Sequence, residues 1–423
     1  MKKLNKLIAV VIALAVMAMM CAVSAFAATS DDAVDAVLTK RVETPKETTL
    51  KNGTFTFTFA QVTTDTNYSV ETDAANIGDR TIEITAADKV NPVGDNDVYV
   101  DIAHLFADPA SVKGSTNAKP FPHAGLYKYT VTETAGYTAA DGETIHNSQA
   151  AYTVYISVAN NEDKTDLIVT GVIVVKTAND DGSTTGGEVG EKADPLPGTG
   201  DDTKTEDETT TNVGSDWAFT NTYVKTLSTD PNGKDDPDDP TKDDNDAVAL
   251  YVQKNLVDEN DLADPDEEFT FDLSVYVPAL APEDSYVAEV WTVNGTKVAD
   301  AEGFTAVKGT TTTDTVTLKA GQRLVFKSLP VGSKYTVSEQ DPGDKYTVDT
   351  IASGTVNTAK TGVDETTITA ADNYVRVTNT VDESKTTPTG ILISNLPYIA
   401  LALVAIGGLV AYVIVRRRNA DEA

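Results

Sequence analysis

Short stretches in which apolar and polar residues alternate run through the middle of this chain. Residues 54–59 alternate Thr and Phe, and Tyr127, Tyr129 and Val131 alternate with polar neighbours. Such period-two alternation is typical of half-buried β-strands. Further β-rich segments are 152–158, 167–175, 269–277, 315–318 and 375–381. Many short strands, with no long helical periodicity outside the termini, predict an all-β protein built from β-sandwiches.

The composition changes sharply at residues 229–246, which contain only Asp, Pro, Lys, Asn, Gly and Thr. A segment of this kind cannot bury a core, so it predicts a linker between two domains, 28–228 and 247–383. A second polar stretch, 179–216, predicts a long surface insertion within the first domain. The acid clusters of the linker lack the Asp-x-Asp-x-Asp-Gly spacing of a calcium loop, so we expect no metal site there.

The N-terminal segment 1–27 has the features of a signal peptide. Lys2, Lys3 and Lys6 precede an apolar run, and Ala25 and Ala27 fit the small-x-small cleavage rule. We therefore expect cleavage after Ala27 and export of the chain. The one cysteine, Cys21, lies before this site, so the predicted mature chain has no thiol and no disulfide.

The C-terminal segment 384–423 combines three features in a fixed order. Pro388, Thr389 and Gly390 precede the uncharged stretch 396–415, which is long enough to span a bilayer, and residues 416–418 are all Arg. A single-pass anchor would explain the last two features. The order of all three favours a sorting signal, and it resembles the variant LPxTG-like signals of Gram-positive surface proteins. The resemblance implies that the thiolate of a sortase attacks the Thr389 carbonyl and releases Gly390 onward.

A literal LPxTG string also occurs at residues 196–200. No apolar stretch or basic tail follows it nearby, so we do not interpret it as a sorting signal. The acidic balance of the chain, with 33 Lys+Arg against 65 Asp+Glu and a net charge of −32, argues against nucleic acid as a partner. No His-Glu-x-x-His, Gly-x-Ser-x-Gly or phosphate-binding loop is present, so we predict neither an enzyme nor a cofactor.

Three polar residues of the first domain occupy apolar positions of their predicted strands. In a strand, residues i, i+2 and i+4 share a face. Lys40 falls between Leu38 and Val42, and Glu133 continues the face of Tyr127, Tyr129 and Val131. Asn221 shares its face with Trp217, Phe219 and Tyr223. The strand phase therefore places all three side chains on the apolar face.

The second domain repeats this pattern in the same order. Lys254 shares a face with Val252 and Leu256, Glu339 with Tyr335 and Val337, and Asn379 with Val377 and Val381. Each of the six residues taken alone is better explained without burial. A Lys or Glu at the end of a strand usually reaches solvent, and an Asn often starts a turn. Burial of a lone charge is also costly unless the charge is paired or neutralised. The recurrence of all three types, in phase and in both domains, favours burial.

Burial would change the protonation and the reactivity of these residues. Desolvation favours the neutral forms of Lys and Glu, and a neutral amine is a nucleophile. A neutral carboxylic acid could polarise the Asn carbonyl and carry protons. The amine could then attack the amide, release ammonia and leave an isopeptide bond, provided that the groups are held together at high effective molarity.

The first domain resembles the pilin isopeptide-linkage domain of Gram-positive FctA-type major pilins, and the second is similar to Ig-like, CnaB-type domains. The resemblance implies two tandem Ig-like sandwiches with one Lys–Asn isopeptide bond each. Carried over, these bonds are Lys40–Asn221, promoted by Glu133, and Lys254–Asn379, promoted by Glu339.

The resemblance also implies a function at the cell surface. We expect a pilin subunit that a sortase transpeptidase polymerises with other pilin subunits and joins to peptidoglycan, with host surface ligands as further partners. The alternative is a monomeric wall-anchored adhesin. The lysine that would accept Thr389 of the next subunit is not marked by a clear motif, and Lys176 and Lys192 are candidates by position only.

Overall fold

The structure of the chain is a computed structural model. It describes residues 36–90, 96–106, 120–134, 136–196, 198, 203–206, 209–212, 214–229, 248–353, 355–358, 360–385, 398 and 400–406. The predicted signal peptide, nearly all of the predicted linker, the Pro388–Thr389–Gly390 motif and the basic tail lie outside the described residues.

The chain divides into two compact units, the first built mainly from residues up to 226 and the second mainly from residues 227 onward. The regular secondary structure in the described parts of both units is almost entirely β-strand, as the alternation of apolar and polar residues predicted. One short 3-10 helix, Ala86–Asp88, begins at Thr85, whose side chain accepts from the backbone N–H of Ala87.

The strands of the first unit are numbered in chain order. They are β1 (Val37–Pro45), β2 (Gly53–Gln61), β3 (Arg80–Ile84), β4 (Lys89–Val90), β5 (Asn96–His104), β6 (Gly125–Thr134), β7 (Glu143–His146), β8 (Ala151–Asn160), β9 (Leu167–Ala178), β10 (Lys192–Ala193), β11 (Thr203–Glu206), β12 (Thr209–Asn212) and β13 (Ala218–Ser228).

Two sheets face each other in the first unit. One contains β13, β1, β5 and β4 in that order, with β7 paired to β13, and the other has the order β10, β9, β8, β6, β2 and β3. The apolar positions of the alternating segments fill the space between the sheets, where Phe57, Tyr129, Trp217 and Phe219 are almost completely buried. The rings of Phe57 and Phe219 lie 5.0 Å apart, so the two sheets meet through aromatic contacts.

The second unit continues the numbering. Its strands are β14 (Leu250–Val257), β15 (Glu268–Tyr276), β16 (Ser285–Thr292), β17 (Phe304–Val307), β18 (Thr311–Lys319), β19 (Gln322–Phe326), β20 (Ser328–Pro330), β21 (Lys334–Glu339), β22 (Tyr346–Ala352), β23 (Thr355–Thr358), β24 (Gly362–Thr367) and β25 (Tyr374–Val381).

The second unit is also built from two sheets. Seven strands have the order β17, β16, β19, β14, β25, β22 and β23, and four have the order β18, β15, β21 and β24. Phe271, Leu273, Leu324, Val337 and Val377 are buried between them. Each of these residues falls on the apolar phase of its strand.

The first and last strands of each unit are neighbours and run parallel. In the first unit β1 pairs with β13, and in the second β14 pairs with β25. A direct hairpin cannot join parallel strands, and the other strands of the sandwich lie between them in sequence. Residues far apart in the chain are thereby brought side by side.

The insertion 179–216 is anchored to the sandwich at both of its ends, which the sequence did not indicate. Asp180 accepts from the backbone N–H of Thr220 at 2.8 Å. Ser215 is buried, and its hydroxyl donates to the Val37 carbonyl at 2.9 Å. The polar composition of these ends serves hydrogen bonds to the backbone of β1 and β13.

The C-terminal apolar stretch is described only in part. Residue 398 and residues 400–406 are helical. No helix among the described residues has the length and apolar character needed to span a bilayer. The remainder of the predicted span 396–415 lies outside the described residues.

Candidate functional site

The interior of the first unit contains a lysine, a glutamate and an asparagine in direct contact. Lys40 and Asn221 have no solvent exposure, and neither does the side chain of Glu133. Lys40 and Asn221 project from the neighbouring strands β1 and β13, whereas Glu133 comes from β6 in the opposite sheet. The structure therefore brings together all three residues that the strand phase predicted to point inward.

Glu133 links the other two side chains. Its Oε2 lies 2.6 Å from Nζ of Lys40, and its Oε1 accepts from Nδ2 of Asn221 at 2.8 Å. The Lys40 ammonium also donates to the Phe219 carbonyl at 3.2 Å. One carboxylate thus contacts both nitrogen atoms that an amide exchange would have to protonate or deprotonate.

The second unit has the same trio. Lys254 and Asn379 have no exposure, and the Glu339 side chain is equally buried. Nζ of Lys254 lies 2.6 Å from Oε1 of Glu339, and Nδ2 of Asn379 donates to the same oxygen at 3.1 Å. Again Lys and Asn come from the first and last strands and Glu from the opposite sheet.

The strand register is identical in the two units. Lys40 is opposite Phe219 on β13, two residues before Asn221, and Lys254 is opposite Val377 on β25, two residues before Asn379. Residues i and i+2 of a strand share a face. Asn, two residues after the residue that pairs with Lys, therefore also faces the interior. Two independent copies of one arrangement are hard to explain by core packing alone.

A phenylalanine ring covers each buried lysine, a contact that the strand pattern did not predict. Nζ of Lys40 lies 4.4 Å from the centre of the Phe55 ring, and Nζ of Lys254 lies 4.2 Å from that of Phe269. Both rings belong to a Phe-Thr-Phe sequence whose second Phe is opposite the glutamate in the strand register. The repeated Phe-Thr-Phe tripeptide is the sequence feature from which these two rings could have been identified. The rings exclude water from the amine while offering it a π-face.

Burial changes the protonation of both pairs. Desolvation lowers the pKa of Lys40 to about 8, although the carboxylate of Glu133 acts in the opposite direction. Desolvation likewise lowers the pKa of Lys254 to about 8, opposed by Glu339. The pKa values of Glu133 and Glu339 are raised, again mainly by desolvation and against the pull of their lysines. Both shifts favour the neutral amine and the neutral acid.

The orientation of the Asn221 amide differs from our prediction, in which the carboxylic acid contacts the carbonyl oxygen of Asn. Glu133 instead contacts Nδ2, and the carbonyl oxygen accepts from the backbone N–H of Ser148 at 2.6 Å. Nδ2 also donates to Oδ1 of Asn147 at 3.2 Å. Residues 147 and 148 had no signal in the sequence, because they lie in a loop without periodicity.

The two lysines considered as acceptors of a second chain differ in exposure. Lys176 on β9 is largely buried, and its Nζ lies 2.9 Å from Oε2 of Glu188. Lys192 on β10 is exposed. Within the LPxTG string, the Leu196 N–H donates to Asp194 and the Gly198 N–H to the Gly214 carbonyl.

Comparisons with known proteins give a family match for one unit. Residues 249–381 match a family model described as a domain of unknown function (DUF7601). This range contains Lys254, Glu339 and Asn379. No curated protein matches the chain.

Solved structures with a partial likeness come from pilus proteins. The major pilin of Streptococcus pyogenes is 19% identical, with 83% of this chain and 99% of that chain covered and a TM-score of 0.30. The major pilin T3.2 of the same species is 17% identical, with coverages of 82% and 98% and a TM-score of 0.30. A pilus-presented adhesin is 14% identical, with coverages of 55% and 37% and a TM-score of 0.24. Sequence identities and TM-scores this low do not assign a function to this chain.

The pKa of Lys40 can be measured in the variant Asn221→Ala, which keeps the Lys40–Glu133 pair and removes the amide. We expect the side-chain NMR resonances of Lys40 to titrate near pH 8, below the ordinary value of 10.5, because burial disfavours the ammonium. Adding Glu133→Gln removes the carboxylate that favours the charged amine, so the midpoint should fall further. A midpoint near 10, or a rise on adding Glu133→Gln, would contradict this electrostatic description.

Proposed function

We propose that each unit closes an isopeptide bond between its first and last strands, and that the chain is a structural surface protein assembled into a pilus. The bonds would join Lys40 to Asn221 and Lys254 to Asn379, with Glu133 and Glu339 promoting them. The observation that carries this proposal is the recurrence of the buried trio in both units with the same strand register.

The reaction begins with the neutral amine. A lysine with a pKa near 8 spends a substantial fraction of its time deprotonated at neutral to mildly alkaline pH. Its Nζ lone pair attacks Cγ of the asparagine, and a bond forms between them. The adjacent glutamate lies 2.6 Å from Nζ in both units, so it can exchange protons directly with that atom.

The same glutamate then completes the exchange. As a neutral acid it delivers its proton to Nδ2, with which it is already in contact, and takes up the proton that Nζ loses, so that the bond between Cγ and Nδ2 breaks and ammonia leaves. One amide and one amine thereby become one substituted amide and ammonia. Amide exchange is slow in water, and the fixed positions of the three groups supply the effective molarity that it needs.

Such bonds would change how each unit carries load. Tension entering through the start of β1 would cross from Lys40 to Asn221 and leave through the end of β13. Residues 41–220 would then lie outside the load path, and residues 255–378 likewise in the second unit. By analogy with other crosslinks, closing loops of this length would add about 5 kcal/mol through the entropy of the unfolded chain.

The sequence supplies the context for a surface function. An exported chain with no cysteine in its mature part has no disulfide to resist shear, and an isopeptide bond fills that role without an oxidant. The Pro388–Thr389–Gly390 motif, the apolar stretch and the arginines would let a sortase join Thr389 to an amine of the next subunit and finally to the cell wall. Lys192, which is exposed, suits the acceptor role better than the largely buried Lys176.

The mass of the recombinant 28–389 fragment tests the two isopeptide bonds. We expect it to be lighter than the sequence mass by two ammonia molecules. Glu133→Ala should restore one ammonia, Glu339→Ala should restore one, and the double variant should restore both, because each glutamate carries the protons of its own unit. The exposed glutamates Glu83 on β3 and Glu268 on β15 provide matched controls, and their alanine variants should keep the full deficit.

A fragment at its full sequence mass, after folding is verified by circular dichroism, would overturn the proposed chemistry in both units. A deficit that persists in Glu133→Ala or Glu339→Ala would overturn the role of that glutamate.

Polymerisation is tested in a Gram-positive host that carries a pilin-polymerising sortase. Wall extracts on denaturing gels should show a ladder of high-mass species, and Thr389→Ala should abolish it because the acyl-donor residue is changed. Ser384→Ala, just outside the motif, serves as the control and should leave the ladder intact. A single band at the monomer mass would instead favour a wall-anchored adhesin.

A further inference from the structure

The carbonyl oxygen of Asn221 faces a backbone donor that is already in place. The N–H of Ser148 donates to Oδ1 at 2.6 Å, while the NH₂ group of the same amide contacts Glu133. When an amine attacks Cγ, negative charge develops on Oδ1. A donor held at that oxygen before the reaction stabilises this charge without reorganisation.

Asp180 holds the segment that contains this donor. Its Oδ1 accepts from the Ser148 hydroxyl at 2.5 Å, and its carbonyl accepts from the Gln149 N–H at 2.9 Å. The same Oδ1 accepts from the Thr220 N–H at 2.8 Å. Because Thr220 immediately precedes Asn221, Asp180 fixes the loop and the reacting asparagine relative to each other.

The second unit is built differently at this point. Strand β7 of the first unit ends at His146, which is opposite Thr222, so residues 147 and 148 leave the ladder beside Asn221. Strand β22 of the second unit instead continues past Asn379, from Val348 opposite it to Ala352 opposite Val375. The backbone of β22 beside Asn379 is therefore paired within the sheet. Among the described residues, Oδ1 of Asn379 has no hydrogen-bond partner although it is buried.

We propose that the Ser148 N–H is the oxyanion donor of the first unit, that Asp180 is its positioning residue, and that the first unit therefore crosslinks faster than the second. This inference rests on the proposed isopeptide chemistry. A bond forms between Nζ and Cγ, and the π electron pair of the carbonyl moves to Oδ1, where the Ser148 N–H stabilises the negative charge. Glu133 then transfers the proton from Nζ to Nδ2. The pair on Oδ1 then reforms the carbonyl as ammonia departs.

The test follows both units of the same chain. The 28–389 fragment is isolated unfolded in denaturant and refolded by dilution, and samples are digested over time. Mass spectrometry then counts the branched peptides of each unit. Loss of one oxyanion donor slows acyl transfer by about 100- to 1,000-fold, so we expect the first unit to crosslink at least about tenfold faster than the second.

Two variants separate positioning from charge. Asp180→Ala should slow the first unit by about tenfold or more and leave the second unchanged, since only the first uses this donor. Asp180→Asn keeps an oxygen for the Ser148 hydroxyl and the Thr220 N–H, so its rate should remain within about threefold of the unaltered chain. If Asp180 acted through its negative charge alone, the two variants would behave alike, and the positioning role would be wrong.

The outcomes distinguish this inference from the proposed function. No ammonia loss in either unit of the unaltered chain would overturn the isopeptide chemistry itself. Crosslinking of both units at equal rates, or an unchanged rate in Asp180→Ala, would overturn the oxyanion site and leave the isopeptide bonds standing. If Asp180→Ala does not fold, Ser148→Ala replaces it, because it removes the hydroxyl that Asp180 holds and should slow only the first unit.

Discussion

The removal of a lysine and a glutamate from water is the constraint around which each unit is organised. Each buried ion loses hydration worth several kcal/mol, and the attraction within the pair repays this only in part. Lys40–Glu133 and Lys254–Glu339 nevertheless lie at 2.6 Å between two sheets of aromatic and aliphatic side chains. A pair of this kind is a poor means of stabilising a core, and the proposed isopeptide chemistry gives a reason for its cost.

The sandwich provides the arrangement that the proposed amide exchange needs. Parallel pairing of the first and last strands sets Lys and Asn side by side, and the opposite sheet presents Glu across the interior. The Phe55 and Phe269 rings keep water from the amines. The same desolvation that raises the energy of the ammonium makes the amine a nucleophile, so the fold and the chemistry depend on one physical effect.

The strand phase predicted much of this arrangement because a period of two is a local property of the sequence. Lys40 and Asn379 could be assigned to the interior from their strand phase together with the recurrence of the same three residue types in both domains. The two sandwiches followed from the alternating segments on either side of the polar stretch 229–246. Ser148 and Asp180 could not be predicted in this way. They lie in a loop and at the start of a polar insertion, where no periodicity fixes the direction of a side chain, and their contacts depend on where β7 happens to end.

Direct identification of the branched peptides is the most decisive measurement. Proteolysis of the fully denatured ectodomain, followed by tandem mass spectrometry, should yield one peptide pair joined through Lys40 and Asn221 and another joined through Lys254 and Asn379. Recovery of these four residues only in separate, linear peptides with intact amine and amide side chains would contradict the account.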